Sequence, residues 1–180
     1  LEKAIAEFRN CDAAITFASG YSANIGTIPA LLKPIELSWG SVLKNKFFGK
    51  EAIVYSDELN HASIVDGCRL SKAERIIYEH KDLADLESKL RSKKRAERKL
   101  IITDGVFSMN GDITPLPGIM DLAEKYEAVV MIDDAHATGV LGASGRGTPE
   151  YFELKKLPEV IMGTFTKAFG AIGGFVAGSK

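Results

Sequence analysis

The sequence lacks several features that would place it in a specialised class of protein. It has no apolar run near the roughly 18 residues that a membrane-spanning helix needs, so we expect no membrane segment. Its formal net charge is −1, so no overall basic field points to nucleic acid as a partner. Internal repeats and low-complexity tracts are also missing. What is left is an ordinary globular composition, in which 46% of the 180 residues are hydrophobic and 26% are charged.

Cysteine is scarce as well. Cys11 and Cys68 form neither a C-x-x-C pair nor a metal-binding spacing. This pattern favours two free, partly buried thiols in a reducing compartment, and we expect a cytoplasmic protein. The longest basic cluster, at residues 91–99, is interpreted as a solvated helix end and turn, with a patch for a polyanion as the alternative.

The ends of the sequence indicate a piece of a longer protein. Leu1 is not an initiator Met and already lies in a segment with a helical pattern, while Lys180 comes directly after an apolar run. The length suits one domain. We therefore expect a one-domain segment, and any targeting signal would belong to the part that precedes it.

Short apolar runs alternate along the chain with segments of helical period. Several runs are rich in Ile and Val and almost continuously apolar, as in strands that are covered on both faces. The alternation predicts βαβ units, and therefore an α/β fold with a mainly parallel sheet. The predicted strands are 13–17, 52–56, 75–78, 99–103, 129–132, 160–163 and 175–177, and the predicted helices between them are 22–32, 63–72, 83–91 and 116–126. Asp82 is predicted to cap the third of these helices, and Pro115 and Pro117 fit the first turn of the fourth.

One segment, residues 33–50, does not fit this alternation. It separates a predicted helix from a predicted strand, where about 2–6 residues normally suffice. It contains the only Trp of the chain and two adjacent Phe residues. An extra helix packed on the surface is the favoured interpretation. A lid, or a contact for a partner or a membrane, is the alternative.

Polar residues that directly follow the predicted strands are the candidates for a site, because ligands of open parallel sheets bind beyond the carboxyl ends of the strands. After the first strand, Gly20 and Tyr21 lead into a helix, where small residues let backbone N–H groups approach an anion. After the second, His61 precedes a helix, either as a cap or surface residue or as a ring that stacks on a planar ligand. Each signal is weak alone.

Two later strands are followed by carboxylates. Asp104 opens a polar loop that contains Ser108 and that is also typical of an Asx-rich turn. Asp133 and Asp134 follow the fifth strand, with His136 close behind, and carboxylates there are costly to bury without partners. A metal site is one interpretation, although further ligands are not evident. A carboxylate that faces a protonated heterocyclic nitrogen is the other.

A lysine follows the sixth predicted strand. Lys167 lies between apolar stretches and small residues, a setting that would remove water from the amine, lower its pKa and make it nucleophilic. Thr164 and Thr166 precede it and can hydrogen-bond a phosphate. A surface lysine would need no such setting.

Taken together, these blocks resemble the α-oxoamine synthase family of fold-type I enzymes, which use pyridoxal 5′-phosphate (PLP). The family's signatures are matched in order by Ser-Gly-Tyr, Asn-His-Ala-Ser, Gly-Val-Phe-Ser-Met-x-Gly-Asp, Asp-Asp-Ala-His-x-Thr-Gly and Gly-Thr-Phe-Thr-Lys-Ala-Phe-Gly. The resemblance covers nearly the whole chain except residues 33–50. It implies an aspartate aminotransferase-like large domain over 1–180, with three αβα layers, a seven-stranded sheet and an insertion at 33–50. The family's N-terminal segment and C-terminal small domain would lie outside it.

The resemblance implies a role for each matching residue. Lys167 would carry PLP as a Schiff base and then accept the Cα proton of the substrate. Asp133 would pair with the pyridinium nitrogen, and His61 would stack on the face of the cofactor. His136 and Ser108 would hydrogen-bond the 3′-oxygen of the ring. The phosphate would be held by Gly20, Tyr21, Thr164 and Thr166.

Two nearby polar residues receive no catalytic role from the resemblance. Asp134 is expected to be structural. His80 matches none of the signature blocks and is expected to lie in a loop.

The activity implied by the resemblance is a C-acyl transfer. A small amino acid condenses with an acyl-CoA or acyl-carrier-protein thioester to an α-amino ketone, with loss of carbon dioxide in most members. The block that begins at Asp133 is similar to those of 8-amino-7-oxononanoate synthases, which act in biotin biosynthesis, and of glycine C-acetyltransferases. The block that ends at Lys167 is closer to serine palmitoyltransferase-like members. Family active sites form between two subunits, so a homodimer is expected.

Two alternatives of other classes stay open at this point. Another fold-type I enzyme, such as an aminotransferase, would share Lys167 and Asp133 but is not expected to combine His136 with the block around His61. A non-catalytic partner subunit is expected to lack the lysine, which this chain keeps.

Overall fold

In a computed structural model of the chain, the structure describes residues 1–32, 52–93, 96 and 98–179. Helices and strands alternate along most of the described residues. In chain order they are α1 (Glu2–Arg9), β1 (Ala13–Phe17), α2 (Gly20–Leu32), β2 (Ala52–Asp57), α3 (Ala62–Ser71), β3 (Glu74–Tyr78), α4 (Leu83–Ser92), β4 (Arg98–Asp104), α5 (Leu116–Tyr126), β5 (Val129–Asp133), α6 (Thr148–Tyr151), β6 (Val160–Thr164) and β7 (Gly174–Gly178).

The strands form one seven-stranded sheet in the order β1-β7-β6-β5-β4-β2-β3. The neighbours from β6 to β3 are parallel, whereas β7 runs antiparallel to both β6 and β1. The predicted α/β class and mainly parallel sheet are therefore confirmed. No helix intervenes between β6 and β7, and a connection without a crossover returns the chain in the opposite direction.

Two apolar clusters cover opposite faces of the sheet and create the three layers. Leu86 of α4 and Ile119 of α5 pack with Ile101 of β4 on one face. On the other, Ile28 of α2 packs with the two neighbours of Ile101 in β4, Leu100 and Ile102. Side chains alternate between the faces of a strand, so a continuous apolar run supplies both clusters. Each large aliphatic side chain buried in this way contributes about 1.5–3 kcal/mol.

The predicted boundaries lie within a few residues of those observed. The first strand and the fourth predicted helix agree at both ends. Most other strands extend one residue further into the polar side chains that follow, because backbone pairing continues where the apolar pattern stops. The single-turn helix α6 was not predicted, since four residues are too few for a helical period. The unusual segment 33–50 lies outside the described residues.

The helix ends follow the predicted chemistry. Asp82 caps α4, and its Oδ1 accepts hydrogen bonds from the N–H groups of Ala84 at 2.8 Å and Asp85 at 2.9 Å. Pro115 and Pro117 lie at the start of α5, where their missing N–H groups leave no helical bond unmade. The helices in the described residues have at most 13 residues, and none is long and apolar enough to span a membrane.

The two cysteines are free, as predicted. Cys68 is buried in the cluster beneath α3, and Cys11 is partly buried. Burial raises the pKa of the Cys68 thiol to about 11, so it stays protonated and inert at neutral pH.

A buried ion pair joins α1 to the end of β5. The Arg9 guanidinium donates to Asp134 Oδ2 at 2.8 Å and to Thr138 Oγ1 at 3.2 Å, and both charged side chains are at most 1% exposed. Asp134 also accepts the Thr148 N–H, at 3.1 Å. Gly147 has φ 91°, and a Cβ there would clash with Asp134 Oδ2. These contacts support the structural role predicted for Asp134.

The variant Arg9→Ala tests whether the buried Arg9–Asp134 ion pair, which we call the anchor, stabilises the fold. Removing one partner leaves the Asp134 charge buried and unpaired, which should lower the free energy of unfolding by about 3–5 kcal/mol in urea denaturation. Lys3→Ala is the matched control, because Lys3 of the same helix is 90% exposed and its pair with Glu7 should contribute under about 1 kcal/mol. Equal losses in the two variants would contradict the anchor.

Candidate active site

A cavity of about 230 Å³ lies at the carboxyl ends of β4, β5 and β6. All nine residues that the resemblance assigned to the cofactor line it. They are Gly20, Tyr21, His61, Ser108, Asp133, His136, Thr164, Thr166 and Lys167. The remaining lining residues are Ser19, Ser63, Asp104, Ala135 and Met162. The nine were chosen from five separate stretches of chain, and the fold brings them together because the parallel strands end at one edge.

Asp133 is the last residue of β5 and is 4% exposed. Its Oδ1 accepts the Ala135 N–H at 3.1 Å, and its Oδ2 accepts the Asn24 amide at 2.7 Å. Burial raises the pKa of the Asp133 carboxyl, while these two hydrogen bonds and the nearby Lys167 and His61 partly offset the rise. A desolvated carboxylate with one side open to a cavity is suited to pair with a cationic group of a ligand.

Asp104 is a second carboxylate of the site, and the sequence interpretation gave it no functional role. It ends β4 directly beside Asp133 in the sheet register and is 7% exposed. Its Oδ2 accepts the His61 N–H at 2.9 Å. Burial, and then the neighbouring Asp133, raise the pKa of Asp104 to about 8. One sequence signal could have identified Asp104, which directly follows a predicted strand. The same rule selected Asp133.

His61 is the N-cap residue of α3, and its ring also lines the cavity. The ring Nδ1 accepts the Ser63 N–H at 3.2 Å and lies 2.7 Å from Ser63 Oγ. Asn60 holds the turn before it, because its amide donates to Ile102 O and its Oδ1 accepts the Asp104 N–H, both at 2.9 Å. The capping and the ligand-facing interpretations of His61 are therefore compatible.

His136 and Ser108 lie on the two loops that flank Asp133. Burial, followed by the nearby charges of Lys167 and His61, holds the pKa of the His136 ring below its ordinary value. A neutral imidazole both donates and accepts a hydrogen bond. Ser108 is exposed in a tight loop, where the Gly111 N–H donates to Phe107 O at 2.8 Å.

The N-terminus of α2 faces the hydroxyl groups at and just after the end of β6. Thr164 Oγ1 lies 2.9 Å from Thr166 Oγ1, and a Cβ built on Gly20 would lie 3.3 Å from Thr164 Cβ. A helix N-terminus beside hydroxyl groups is suited to an anion such as a phosphate. The Tyr21 hydroxyl donates to Asp66 Oδ2 at 2.8 Å, which directs it to the neighbouring helix.

The prediction that Lys167 is removed from water is wrong, as judged from the part of the chain that the structure describes. Lys167 lines the cavity together with Asp133, but its side chain is exposed. The small residues around it leave it uncovered, and the apolar neighbours Phe169 and Ile172 are themselves 48% and 89% exposed. Pattern alone therefore predicted the place of the lysine but not its solvation.

His80 does lie in a loop, as expected, but it is not isolated. Its Nδ1 is 2.9 Å from Asp57 Oδ1, and its ring packs edge-on against Phe107, with the ring centroids 4.4 Å apart. Asp112, at the end of the Ser108 loop, lies 3.5 Å from its Nε2. His80 thus supports the Ser108 loop from outside the cavity.

The metal interpretation of the Asp133 block finds no support in the geometry. Asp134 points away from the cavity and is engaged by Arg9 and Thr148. Within residues 1–32, 52–93, 96 and 98–179, no three His, Cys, Asp or Glu side chains are arranged to hold a metal ion.

Comparison with known proteins identifies the family of the chain. The family model for aminotransferase class I and II matches residues 1–180. An 8-amino-7-oxononanoate synthase from Lysinibacillus sphaericus is 52% identical over 180 residues, which is 100% of this chain and 42% of that protein. The chain thus spans less than half the length of the curated relatives that it matches.

Solved structures show the same fold. A serine palmitoyltransferase from S. paucimobilis, with a bound PLP–myriocin aldimine, superposes with a TM-score of 0.86 at 35% identity over 98% of this chain and 40% of that one. The 8-amino-7-oxononanoate synthase from Francisella tularensis gives 0.77 at 30% identity, over 99% of this chain and 47% of that one. The resemblance to α-oxoamine synthases is confirmed, and the chain belongs to the aminotransferase class I and II family.

Proposed function

We propose that the protein containing this chain is a PLP-dependent C-acyltransferase, which condenses a small amino acid with an acyl-CoA or acyl-carrier-protein thioester. The product is an α-amino ketone, as in 8-amino-7-oxononanoate synthases or glycine C-acetyltransferases. The observation that carries the proposal is that one cavity combines a lysine, a buried carboxylate and a hydroxyl-lined helix N-terminus. Relatives named 8-amino-7-oxononanoate synthase at 50–53% identity support the first of these activities.

The residues of the cavity fit each part of PLP. The N-terminus of α2 at Gly20, with Thr164 opposite, suits the phosphate, and Asp133 suits the protonated ring nitrogen. His61 offers a ring for stacking, and Lys167 offers the amine that would hold the cofactor. When bound, PLP supplies an electron sink for the carbanion of the substrate amino acid.

In this proposal the chain's own residues control charge and protons. Asp133 keeps the ring nitrogen protonated, because a desolvated carboxylate that is fixed by two hydrogen bonds strongly favours an adjacent cation. Lys167 would act as the base that accepts the Cα proton of the substrate amino acid. His136 and Ser108 hydrogen-bond the 3′-oxygen of the ring from the two flanking loops.

The exposed Lys167 needs cover for this chemistry, and we propose that a second copy of the protein and a further domain supply it. Apolar side chains that are exposed on the loops around the cavity support this arrangement, since Met109 is 91% and Ile172 is 89% exposed. Residues 1–180 would then be the PLP-binding large domain of a cytoplasmic homodimer.

The second candidate is a serine palmitoyltransferase-like activity. The superposition on serine palmitoyltransferase, with a TM-score of 0.86, favours it, although the identity of 35% is lower than that of the synthases. The two candidates differ in both substrates, so a substrate panel separates them.

In such a panel the full-length protein is given glycine, alanine or serine with short, pimeloyl or long-chain thioesters, and free thiol is measured. We expect the highest kcat/KM with alanine and the pimeloyl thioester, because an amino-oxononanoate contains the pimeloyl carbons plus Cα and the methyl carbon of alanine. A maximum with serine and a long chain would establish the alternative. Transamination that needs a keto acid and releases no thiol would reject both.

The variant Lys167→Ala tests the cofactor site directly. With PLP, the full-length wild-type protein should show a visible absorption band from lysine-bound cofactor, and borohydride should fix the cofactor to the protein. Both signals should be lost in Lys167→Ala, because no other described lysine lines the cavity. Lys125→Ala, on the exposed side of α5, should keep both. An unchanged spectrum in Lys167→Ala would refute the proposal.

The raised pKa of Asp104 predicts a pH dependence of stability in the cofactor-free protein. Between about pH 4, where an unfolded Asp titrates, and about pH 8, the folded state binds the extra proton. The contribution of Asp104 to the free energy of unfolding therefore decreases as the pH rises through this window. Asp104→Asn should remove this decrease.

Urea unfolding at about pH 5 and about pH 8 measures this effect. The free energy of unfolding of Asp104→Asn, relative to that of the wild type, should be larger at about pH 8 than at about pH 5. Asp121→Asn, an exposed position on α5, should track the wild type at both. A gain that does not change with pH would show that Asp104 is not protonated in the folded state.

A further inference from the structure

Four side chains form a hydrogen-bonded series beneath the cavity, from the ring of His61 to the carboxylate of Asp133. The ring Nδ1 of His61 lies 2.7 Å from Ser63 Oγ, which lies 2.9 Å from Asn24 Nδ2. The same Nδ2 lies 2.7 Å from Asp133 Oδ2. Asn24 and Ser63 are at most 1% exposed, so bulk water does not compete for the two hydrogen bonds that Asn24 makes. Asn24 thus connects two residues that the proposed function places on different parts of the cofactor.

The direction of each hydrogen bond follows from the donors available. The Asn24 amide has two protons and donates one to Asp133 and one to Ser63 Oγ. The single proton of the Ser63 hydroxyl is then free to be donated to His61 Nδ1, which also accepts the Ser63 N–H at 3.2 Å. Two donors at Nδ1 leave no room for a proton there. The series therefore selects the imidazole tautomer that carries its proton on Nε2.

An ionised Asp133 carboxylate also determines the orientation of the Asn24 amide. If the amide were reversed, its oxygen would face the Asp133 carboxylate oxygen at hydrogen-bond distance, with two acceptors opposed. In the observed orientation, Asn24 Oδ1 is buried without a hydrogen-bond partner, which carries a desolvation cost. The Asn24 side chain thus donates two hydrogen bonds but leaves its acceptor oxygen buried and unpaired. An apolar residue would fill this buried helix position without that desolvation cost.

We propose that Asn24 is a positioning residue of the active site, which aims the Asp133 carboxylate at the ring nitrogen and, through Ser63, sets the tautomer of His61. This inference rests on the proposed function, because both target residues act on PLP. Asn24 keeps the Asp133 carboxylate a hydrogen-bond acceptor, and so keeps the proton on the ring nitrogen.

The test compares Asn24→Leu with the wild type in the full-length protein. Leu is of similar size and lacks the donors. With ¹⁵N-labelled PLP bound, the ring-nitrogen resonance should move toward the unprotonated form, because a carboxylate that loses its amide donor holds a proton more readily. The dissociation constant of PLP should rise about tenfold or more, as for a lost bond to a charged group.

Two further variants separate positioning from general loosening. Ser63→Ala removes the hydroxyl that links Asn24 to His61 and keeps the bond from Asn24 to Asp133. In the cofactor-free protein it should alter the imidazole ¹⁵N shifts of His61, and with PLP bound it should leave the ring-nitrogen resonance near its wild-type position. Ile28→Val trims a fully buried side chain of the same helix outside the series, and should change neither signal.

Each outcome has a defined meaning. Wild-type protein that gives no lysine-bound PLP signal refutes the proposed function, while the cofactor-free His61 shifts still test the series. Wild-type binding together with unchanged ring-nitrogen and His61 signals in Asn24→Leu overturns the positioning role. If Asn24→Leu does not fold, an unchanged His61 spectrum in Ser63→Ala overturns it instead.

Discussion

The buried carboxylate of Asp133 is the constraint on which the rest of the site depends. A carboxylate at the end of a central strand is almost completely removed from water, and that removal is unfavourable unless partners compensate it. Asn24 and the Ala135 N–H supply two such partners, and one side of the carboxylate is left to the cavity. A cationic ring nitrogen would complete the compensation, which explains why an aromatic base is a better occupant than a neutral ligand.

The two consecutive acidic residues at this strand end serve different purposes. Asp133 faces the cavity on the α2 side, whereas Asp134 pairs with Arg9 of α1 and accepts the Thr148 N–H. Alternation of side-chain direction separates the charge that would act on a ligand from the charge that holds the frame. The anchor also restrains the backbone next to Asp133, so that the carboxylate and the loop leading to His136 keep their relative positions.

Much of the site was accessible from local pattern, but two residues of the site were missed, each for its own reason. The polar residues after apolar runs, with the family blocks, led to the nine assigned residues that line the cavity. Asp104 obeyed the same rule but received no functional role, because the polar loop that it opens is also typical of an Asx-rich turn. Asn24 lies within a helix and contacts Asp133 from 109 positions away, so no local signal marks it. Only packing of α2 against the strand ends brings the two together.

Hydrophobic period and turn chemistry were sufficient for the α/β class, the positions of the strands and the capping of α4 by Asp82, because these depend on neighbours in sequence. The uncovered state of Lys167 and the series from His61 to Asp133 depend on which distant surfaces meet. Burial and hydrogen-bond partners are properties of that packing. A residue's chemistry could thus be assigned from the chain alone, whereas its solvation and its partners required the folded molecule.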